Sequence, residues 1–150
     1  MVSRLLVLSC SATKRPNAEC LPAIERYNGP FYTTLRKFLA EHPHEAQSLT
    51  ILVVSAEYGL INGHRLIPDY DHRMTPERAE DLRPQVSRRF AALLAHRPVP
   101  FARTFINFGR DYKCAFQIDP ASRPPLGDIT EACGGIGKKR GQMRCWLEAV

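Results

Sequence analysis

The stretch from Leu49 to Asp71, LTILVVSAEYGLINGHRLIPDYD, decides the fold that the sequence predicts. It begins with a short apolar run rich in β-branched residues, Ile51 to Val54, which is typical of a strand buried on both faces of a parallel sheet. Small and polar residues follow from Ser55 onward, and ligands of open parallel sheets bind beyond the carboxyl ends of the strands. The segment from Ile61 to Asp71 is too broken for a helix, so we expect an ordered loop over that edge.

The remaining elements alternate between short apolar runs and amphipathic helical patterns, which is typical of a sheet with helices on both faces. Pro84 lies inside one helical pattern and predicts a kink or a break there. We therefore predict a single three-layer α/β domain over residues 1–150 with a mostly parallel central sheet. The further predicted strands are Arg4–Ser9 and Ala102–Phe108. The predicted helices begin at Pro30, at Pro76 with Thr75 as the N-cap, and after Gly135, and a short helix is expected through Tyr112 and Phe116.

The charge balance favours an anionic partner. The chain has 21 Lys and Arg against 15 Asp and Glu, a net charge of +6, which suits phosphate, nucleotide or nucleic acid. The alternative is a basic surface without a specific partner. No window approaches the roughly 18 apolar residues of a transmembrane helix, and the apolar run at the N-terminus is too short for a signal peptide. We expect a cytoplasmic protein without membrane contact.

The cysteines and histidines show no metal-binding or disulfide pattern. The five cysteines are odd in number and contain no CxxC, which argues against a disulfide framework and a structural zinc site. The five histidines show no HExxH or similar spacing. We predict no metal and no cofactor.

The loop after the first strand is one candidate site. A turn at this position can direct backbone N–H groups and the Lys14 ammonium at an anion, with Arg15 beside it. Cys10 is a candidate nucleophile if Lys14 lowers its pKa. The alternative is that Cys10 is a small buried residue at the end of the strand.

A second candidate site lies in Ser55–Leu60, directly after the central strand. Gly59 suggests a backbone conformation that other residues resist. Tyr58 is suited to stack on a base or to donate its hydroxyl to an anion, and Ser55 to position a base or sugar. The alternative for Tyr58 is an aromatic ring that packs under the loop.

The third candidate site is Asp69–Arg73. A carboxylate held over a sheet edge, such as that of Asp71, can activate water or stabilise the cation formed when a glycosidic bond breaks. His72 or Arg73 would then stabilise the leaving group. The alternative is that Asp71 or His72 caps the following helix, or that Asp71 pairs with Arg73.

The glycine-rich turn before the last helix, Gly134–Lys139, resembles a phosphate-binding loop only in outline. Ala132 occupies the position of the first P-loop glycine, and Lys139 replaces the Ser or Thr. Lys138 and Lys139 remain candidate contacts to phosphate or nucleic acid. The alternative is a tight turn followed by a basic surface helix.

Several of these segments together resemble the short relatives of the peroxide-stress protein YaaA. The resemblance implies an α/β fold distantly similar to uracil-DNA glycosylases, and affinity for a nucleobase, nucleotide or nucleic acid. An insertion at Asp128–Cys133 departs from the family pattern. The pocket residues it implies are Cys10, Lys14, Tyr32, Ser55, Tyr58, Tyr70 and Asp71. The matching segments are Leu6–Pro16, Tyr27–Arg36, Val53–Ile61, Ile67–Asp71 and the terminal PLG…GGIGKKRGQMRCWL.

These observations lead to one main functional hypothesis and two alternatives. The main hypothesis is an enzyme that acts at the N-glycosidic bond of a nucleobase-containing substrate, with Asp71, Ser55 and Tyr58 as catalytic residues. Cys10, Lys14, Tyr32, Tyr70 and Arg73 would bind the substrate, and Lys14, Arg15, Lys138 and Lys139 would contact phosphate. The alternatives are a DNA- or RNA-binding stress protein without catalysis and a nucleotide-sugar or ribosyl transferase.

Overall fold

The computed structural model describes residues 2–119 and 123–149. Two-residue strands and one-turn helices occur beside the longer elements. None of the helices in these two ranges is both long and apolar enough to cross a membrane. The elements in chain order are β1 (Arg4–Ser9), β2 (Leu21–Pro22), α1 (Ala23–Arg26), α2 (Pro30–Glu41), α3 (Pro43–Ala46), β3 (Leu49–Ser55), β4 (Gly59–Asn62), β5 (Leu66–Ile67), α4 (Pro76–Ala95), β6 (Arg103–Asn107), the 3₁₀ turn Arg110–Tyr112, α5 (Arg123–Leu126), β7 (Asp128–Glu131) and α6 (Ile136–Glu148).

The central sheet has five strands in the order β4-β3-β1-β6-β7, and only β4 is antiparallel to its neighbour. In β1, Leu6 lies opposite Ile51 of β3, and Val7 lies opposite Ile106 of β6. The predicted α/β class and the mostly parallel sheet are therefore confirmed. β2 and β5 form a separate two-stranded antiparallel ribbon.

The alternating side chains of β1 contribute to two separate apolar cores. Leu6 and Leu8 pack in a core with α1, α2 and α6. Leu5 and Val7 pack in a second core with α4. Because both faces are covered, all four of these residues are buried, as expected for a central strand of a parallel sheet.

The direction in which strands are added to the sheet reverses at β1. The chain leaves β1 through α1 and α2 on one face and enters β3 on one side. It then returns through α4 on the opposite face and enters β6 on the other side of β1. Such a reversal leaves a crevice at the carboxyl ends of β1 and β6, which is where open α/β sheets bind ligands.

The segment after the central strand differs from its prediction. Part of the expected loop forms β4, which pairs back onto β3, and another part forms β5. The turn is closed by Ser55, whose Oγ accepts hydrogen bonds from the backbone N–H groups of Glu57 and Tyr58. Leu60 and Ile61 then bury their side chains on opposite faces, which favours a strand over a loop.

Helix α4 also differs, because it continues through Pro84 without a break. Leu82 and Val86 are buried on either side of the proline and hold both halves of the helix against the sheet. The predicted N-cap is confirmed, since Thr75 Oγ1 accepts a hydrogen bond from the N–H of Arg78. The short helix expected through Tyr112 and Phe116 is a 3₁₀ turn at Arg110–Tyr112.

The conformation predicted for Gly59 is confirmed by its φ of 72°. Replacing Gly59 with alanine should lower the free energy of unfolding by about 1–3 kcal/mol, because this φ is strained for other residues. The added Cβ would also lie 2.1 Å from Gln85 Oε1, which accepts the N–H of Leu60. Urea denaturation of the variant measures the loss.

Gly141→Ala is the matched control for this substitution. Gly141 lies in the interior of α6, and a Cβ there meets nothing within 4 Å. Its replacement should raise the free energy of unfolding by about 0.5–1 kcal/mol, because alanine loses less backbone entropy in a helix. Equal changes for both variants would contradict the assigned strain at Gly59.

Candidate functional site

A cavity of about 430 Å³ lies at the carboxyl ends of β1 and β6, in the crevice that the reversal of the sheet creates. We call it the switch-point cleft. Its walls are the loops after β1 and β6 and the first turns of α2 and α6. Other depressions have similar volumes, including one of about 540 Å³ beside Phe116 and Ile129, but that one is not lined by the residues that follow β1. The side chains with reactive or polar groups in the cleft are Cys10, Tyr32, Arg73, Asp111, Tyr112 and Lys139.

Three hydrogen bonds fix four side chains of the switch-point cleft near the strand ends. Cys10 Sγ lies 2.8 Å from Tyr112 Oη, which joins the loops after β1 and β6. Tyr32 Oη donates to the carbonyl of Ser9 at 2.7 Å. Lys139 Nζ donates to the carbonyl of Phe108 at 2.9 Å, which ties α6 to the end of β6. The walls of the cleft are thus held together before any ligand binds.

Two charged groups in the cleft remain available to a ligand. Asp111 is half-buried, and Arg73 is exposed. Within residues 2–119 and 123–149 neither side chain makes a hydrogen bond or an ion pair. A carboxylate and a guanidinium therefore face the cavity without competing protein partners.

A second group of polar side chains, the hydroxyl cluster, lies at the carboxyl end of β3 and consists of Ser55, Tyr70, Tyr27, Tyr58 and Lys14. Tyr70 Oη lies 2.9 Å from Ser55 Oγ and 2.5 Å from Tyr27 Oη. Lys14 Nζ lies 4.6 Å from the centre of the Tyr70 ring, and the Tyr58 ring packs against the same ring edge-on. Tyr70 is thus the centre of the cluster.

One hydrogen bond of the hydroxyl cluster has a defined direction. Ser55 Oγ already accepts two backbone N–H groups, so its own hydrogen is directed to Tyr70. In the hydrogen bond between Tyr70 and Tyr27 either hydroxyl can be the donor. Tyr27 is fully buried.

Burial raises the pKa of Tyr27, Tyr70 and Tyr112 above the usual tyrosine value, and the neighbouring Cys10 raises it further. Burial likewise raises the pKa of Tyr32, with a contribution from Cys10. These four phenols stay neutral near pH 7 and can donate hydrogen bonds. Cys10 lines the switch-point cleft and also packs against the same core as Tyr58 and Tyr70 of the hydroxyl cluster.

The structure divides the residues predicted from sequence into three groups. Those in the switch-point cleft are Cys10, Tyr32, Arg73 and Lys139. Those in the hydroxyl cluster are Lys14, Ser55, Tyr58 and Tyr70. Those in neither group are Arg15, Asp71 and Lys138.

The residues predicted to be catalytic do not line the cleft. Ser55 is fully buried, and its oxygen is used to close the turn after β3. Asp71 is exposed and makes no hydrogen bond or ion pair with the described part of the chain. It does not cap α4, because Thr75 does so, and it does not pair with Arg73. His72 instead pairs with Glu57 at 2.6 Å.

The predicted phosphate contacts also differ in their availability. Arg15 forms an ion pair of 3.0 Å with Glu25, so its guanidinium is partly occupied. Lys14 lies over the Tyr70 ring rather than in the cleft. Lys138 is exposed on α6, and only Lys139 reaches the cleft.

Sequence reasoning missed Tyr27, Asp111 and Tyr112 as site residues. Asp111 and Tyr112 follow a predicted strand at its carboxyl end, which is the same signal that drew attention to Cys10 and Ser55. That signal could have found them. Nothing in the sequence around Tyr27 indicates its hydrogen bond to Tyr70, because the two residues are 43 positions apart.

The raised tyrosine pKa values predict a loss of stability in alkali. Folded Tyr27 and Tyr32 keep their protons where unfolded tyrosines lose them, so the unfolded state binds fewer protons. Each of the two should therefore lower the free energy of unfolding by about 1.4 kcal/mol per pH unit above pH ~10. Urea denaturation between pH 8 and pH ~11.5 measures this slope. A Tyr27→Phe/Tyr32→Phe variant should show a shallower slope, and an unchanged slope would contradict the assignment.

Neither metal ligands nor relatives define the chemistry of the cleft. Within the ranges that the structure describes, no group of three or more His, Cys, Asp or Glu side chains could hold a metal ion. Comparison of the chain with models of protein families, with curated proteins and with solved structures found no match. The function must therefore be inferred from the geometry of the switch-point cleft and its side chains.

Proposed function

We propose that the protein is an enzyme that binds a nucleobase-containing substrate in the switch-point cleft and hydrolyses or transfers at its N-glycosidic bond. One observation supports the proposal above the others. The cleft combines the Asp111 carboxylate, which has no hydrogen-bond or ion-pair partner among the described residues, with aromatic rings and with the basic side chains of Arg73 and Lys139. Aromatic rings can stack on a base, a carboxylate can stabilise a sugar that becomes cationic, and basic side chains can bind a phosphate.

The size and walls of the cleft suit one nucleoside or nucleotide. Its volume of about 430 Å³ lies within the range of small-molecule sites, roughly 300–1,000 Å³. Phe31 and Tyr112, both half-buried, offer ring surface to a planar base. Arg73 offers a planar pair of donors to a phosphate, and Lys139 adds a second positive charge.

In the proposed reaction Asp111 acts on water and on the sugar. The oxygen of a water molecule forms a bond with C1′ of the sugar while the bond from C1′ to the base nitrogen breaks, its electron pair leaving with the base. The water proton passes to the Asp111 carboxylate, which also stabilises the positive charge developing on the sugar. The neutral hydroxyl of Tyr112 donates a hydrogen bond to the departing base. In a transfer reaction an acceptor nucleophile takes the place of water.

A relationship to the YaaA relatives and to the uracil-DNA glycosylase fold is part of the proposal. It is supported by where the matching segments lie. Leu6–Pro16 contributes residues 9–12 to the switch-point cleft, and Val53–Ile61 and Ile67–Asp71 contribute to the hydroxyl cluster. The terminal segment forms most of α6, whose first turn lines the cleft. Segments far apart in the chain thus meet at one edge of the sheet.

Asp111→Asn should reduce base release by about 10²–10⁴-fold, because the amide cannot accept the proton or stabilise the cation. Free base released from nucleosides, nucleotides and oligonucleotides, separated by chromatography, measures the rate. The binding of free base should change much less, since it has no developing positive charge. The melting temperature confirms that the variant is folded.

Asp71→Asn is the matched control, because it removes an exposed carboxylate outside the cleft. We expect it to release base at the wild-type rate. Loss of activity in Asp71→Asn with activity retained in Asp111→Asn would show that Asp71, and not Asp111, is the catalytic carboxylate. The absence of base release by the wild-type protein from all of these substrates would contradict the enzymatic proposal.

Arg73→Gln tests the phosphate contact of the cleft. A charge-assisted hydrogen bond to phosphate contributes about 1.5–3 kcal/mol, so mononucleotide affinity should fall roughly 10–100-fold while free-base affinity is kept. Calorimetric titration measures both affinities. Arg15→Gln, on an arginine paired with Glu25, should leave both almost unchanged. Equal losses of nucleotide and base affinity in Arg73→Gln would contradict a phosphate contact.

A further inference from the structure

A basic groove of about 570 Å³ runs between α2 and α6 and begins where the switch-point cleft ends. Residues 30–32 of α2 line the cleft, and Thr33 and Thr34 line the groove. In α6, Ile136 lines the cleft and Gly137 lines the groove. The two depressions therefore adjoin along the same two helices.

The charges of the groove are arranged along its length. Lys37, Arg140 and Arg144 line it between the cleft and its far end. Its two acidic residues, Glu41 and Glu148, are the last residues of α2 and α6 and so lie furthest from the cleft. The positive charge is thus concentrated on the part that adjoins the cleft, which favours a bound polyanion there.

The basic side chains of the groove are available for contact. Within the described ranges Lys37 and Arg144 make no hydrogen bond or ion pair. Arg140 uses its Nε to donate to Thr34 Oγ1 at 2.7 Å, which fixes the side chain while its terminal nitrogens stay unbonded. Thr34 is itself buried, so this anchor is part of the protein interior.

The wall that α6 presents to the groove is open. Gly137 and Gly141 both line it, and a Cβ added at either position would meet nothing within 4 Å. Ile136, at the junction of cleft and groove, is 63% exposed and offers an apolar surface to a base. The groove thus offers exposed backbone and positive charge to the phosphates of a nucleic-acid strand, and an apolar side chain to a base.

We infer that the substrate is a single-stranded nucleic acid, with one base in the switch-point cleft and the adjoining phosphates along the α2–α6 groove. This inference rests on the proposed function, because it takes the cleft as the site of the base. A base in such a cavity must leave its stack, and this costs least in a single strand. The groove then selects a polymer over a free mononucleotide.

The test is a Lys37→Gln/Arg144→Gln variant, which removes two groove charges without breaking a hydrogen bond of the described chain. Fluorescence anisotropy with a labelled single-stranded DNA oligonucleotide measures affinity across a range of salt. Two lost phosphate contacts should lower the slope of log affinity against log salt by about 1.4, which weakens binding about 20-fold at roughly 0.1 M salt. Calorimetry with the four deoxynucleoside monophosphates should show unchanged affinity.

The matched control is Arg88→Gln/Lys113→Gln, which removes the same charge at exposed positions outside the groove and the cleft. It should change oligonucleotide affinity and the salt slope much less. Equal losses in the two variants, or no loss in either, would overturn the inference. Mononucleotide binding without oligonucleotide binding would overturn it and leave the proposed function intact.

The remaining outcomes separate the two proposals. Oligonucleotide binding that depends on Lys37 and Arg144, without mononucleotide binding, would support the groove and contradict the cleft as a nucleotide site. A wild-type protein that binds neither probe would overturn both. The melting temperatures of the two double variants show whether each is folded.

Discussion

Strand β1 is paired on both edges and buried on both faces, and the switch-point cleft depends on that position. Its partners are reached by crossovers on opposite faces of the sheet, so the helices diverge at its carboxyl end. The crevice that results receives Cys10 from the loop directly after β1, and Asp111 and Tyr112 from the loop after β6. The same divergence sets the first turns of α2 and α6 on one side of the crevice. The topology of the sheet thus determines both the switch-point cleft and the adjoining groove.

A buried arginine holds the long loop after β1 in place. Arg26 is fully buried and donates to the carbonyls of Arg15, Asn17 and Glu19, which lie in that loop. The half-buried Arg36 donates to the carbonyls of Ile24 and Tyr27 at 2.6 and 2.8 Å. A buried guanidinium is costly unless its donors are satisfied. Carbonyls accept hydrogen bonds from Nη1 and Nη2 of Arg26, whereas its Nε has no partner among the described residues. The loop that supplies Cys10 and Lys14 is therefore held by hydrogen bonds where regular secondary structure is scarce.

The polar groups of the hydroxyl cluster and those of the switch-point cleft differ in whether their hydrogen bonds are satisfied. In the hydroxyl cluster, the buried Ser55 and Tyr27 and the half-buried Tyr70 are joined through oxygen atoms that already have partners. The switch-point cleft is open, and its carboxylate and its guanidinium lack protein partners in the described ranges. Groups with satisfied hydrogen bonds stabilise a geometry, whereas unsatisfied charged groups are available to a substrate. This difference is the reason for placing the chemistry at Asp111 rather than at Ser55.

The sequence by itself determined the elements whose signals are local. The apolar runs of β1, β3 and β6, the Thr75 cap, the first-turn prolines and the positive φ of Gly59 follow from side-chain burial and backbone sterics within a few residues. It also identified Cys10, after a predicted strand, and Lys139, in the turn before the last helix, as candidate site residues, and both line the cleft. These features can be predicted from the sequence without knowing how the neighbouring elements pack.

Only the tertiary structure decided which strand ends meet and which polar residues face the cavity. Asp71 and Asp111 each lie near a strand end or in its loop, and nothing local shows that one is exposed outside the cleft and the other lines it. Tyr70 contacts Tyr27, 43 positions away, and Tyr112 contacts Cys10, 102 positions away. Strand order and crossover direction determine which of these residues are neighbours. Both depend on how the helices pack on the two faces of the sheet, and no short sequence pattern encodes that packing. The fold therefore determines which carboxylate lines the cleft.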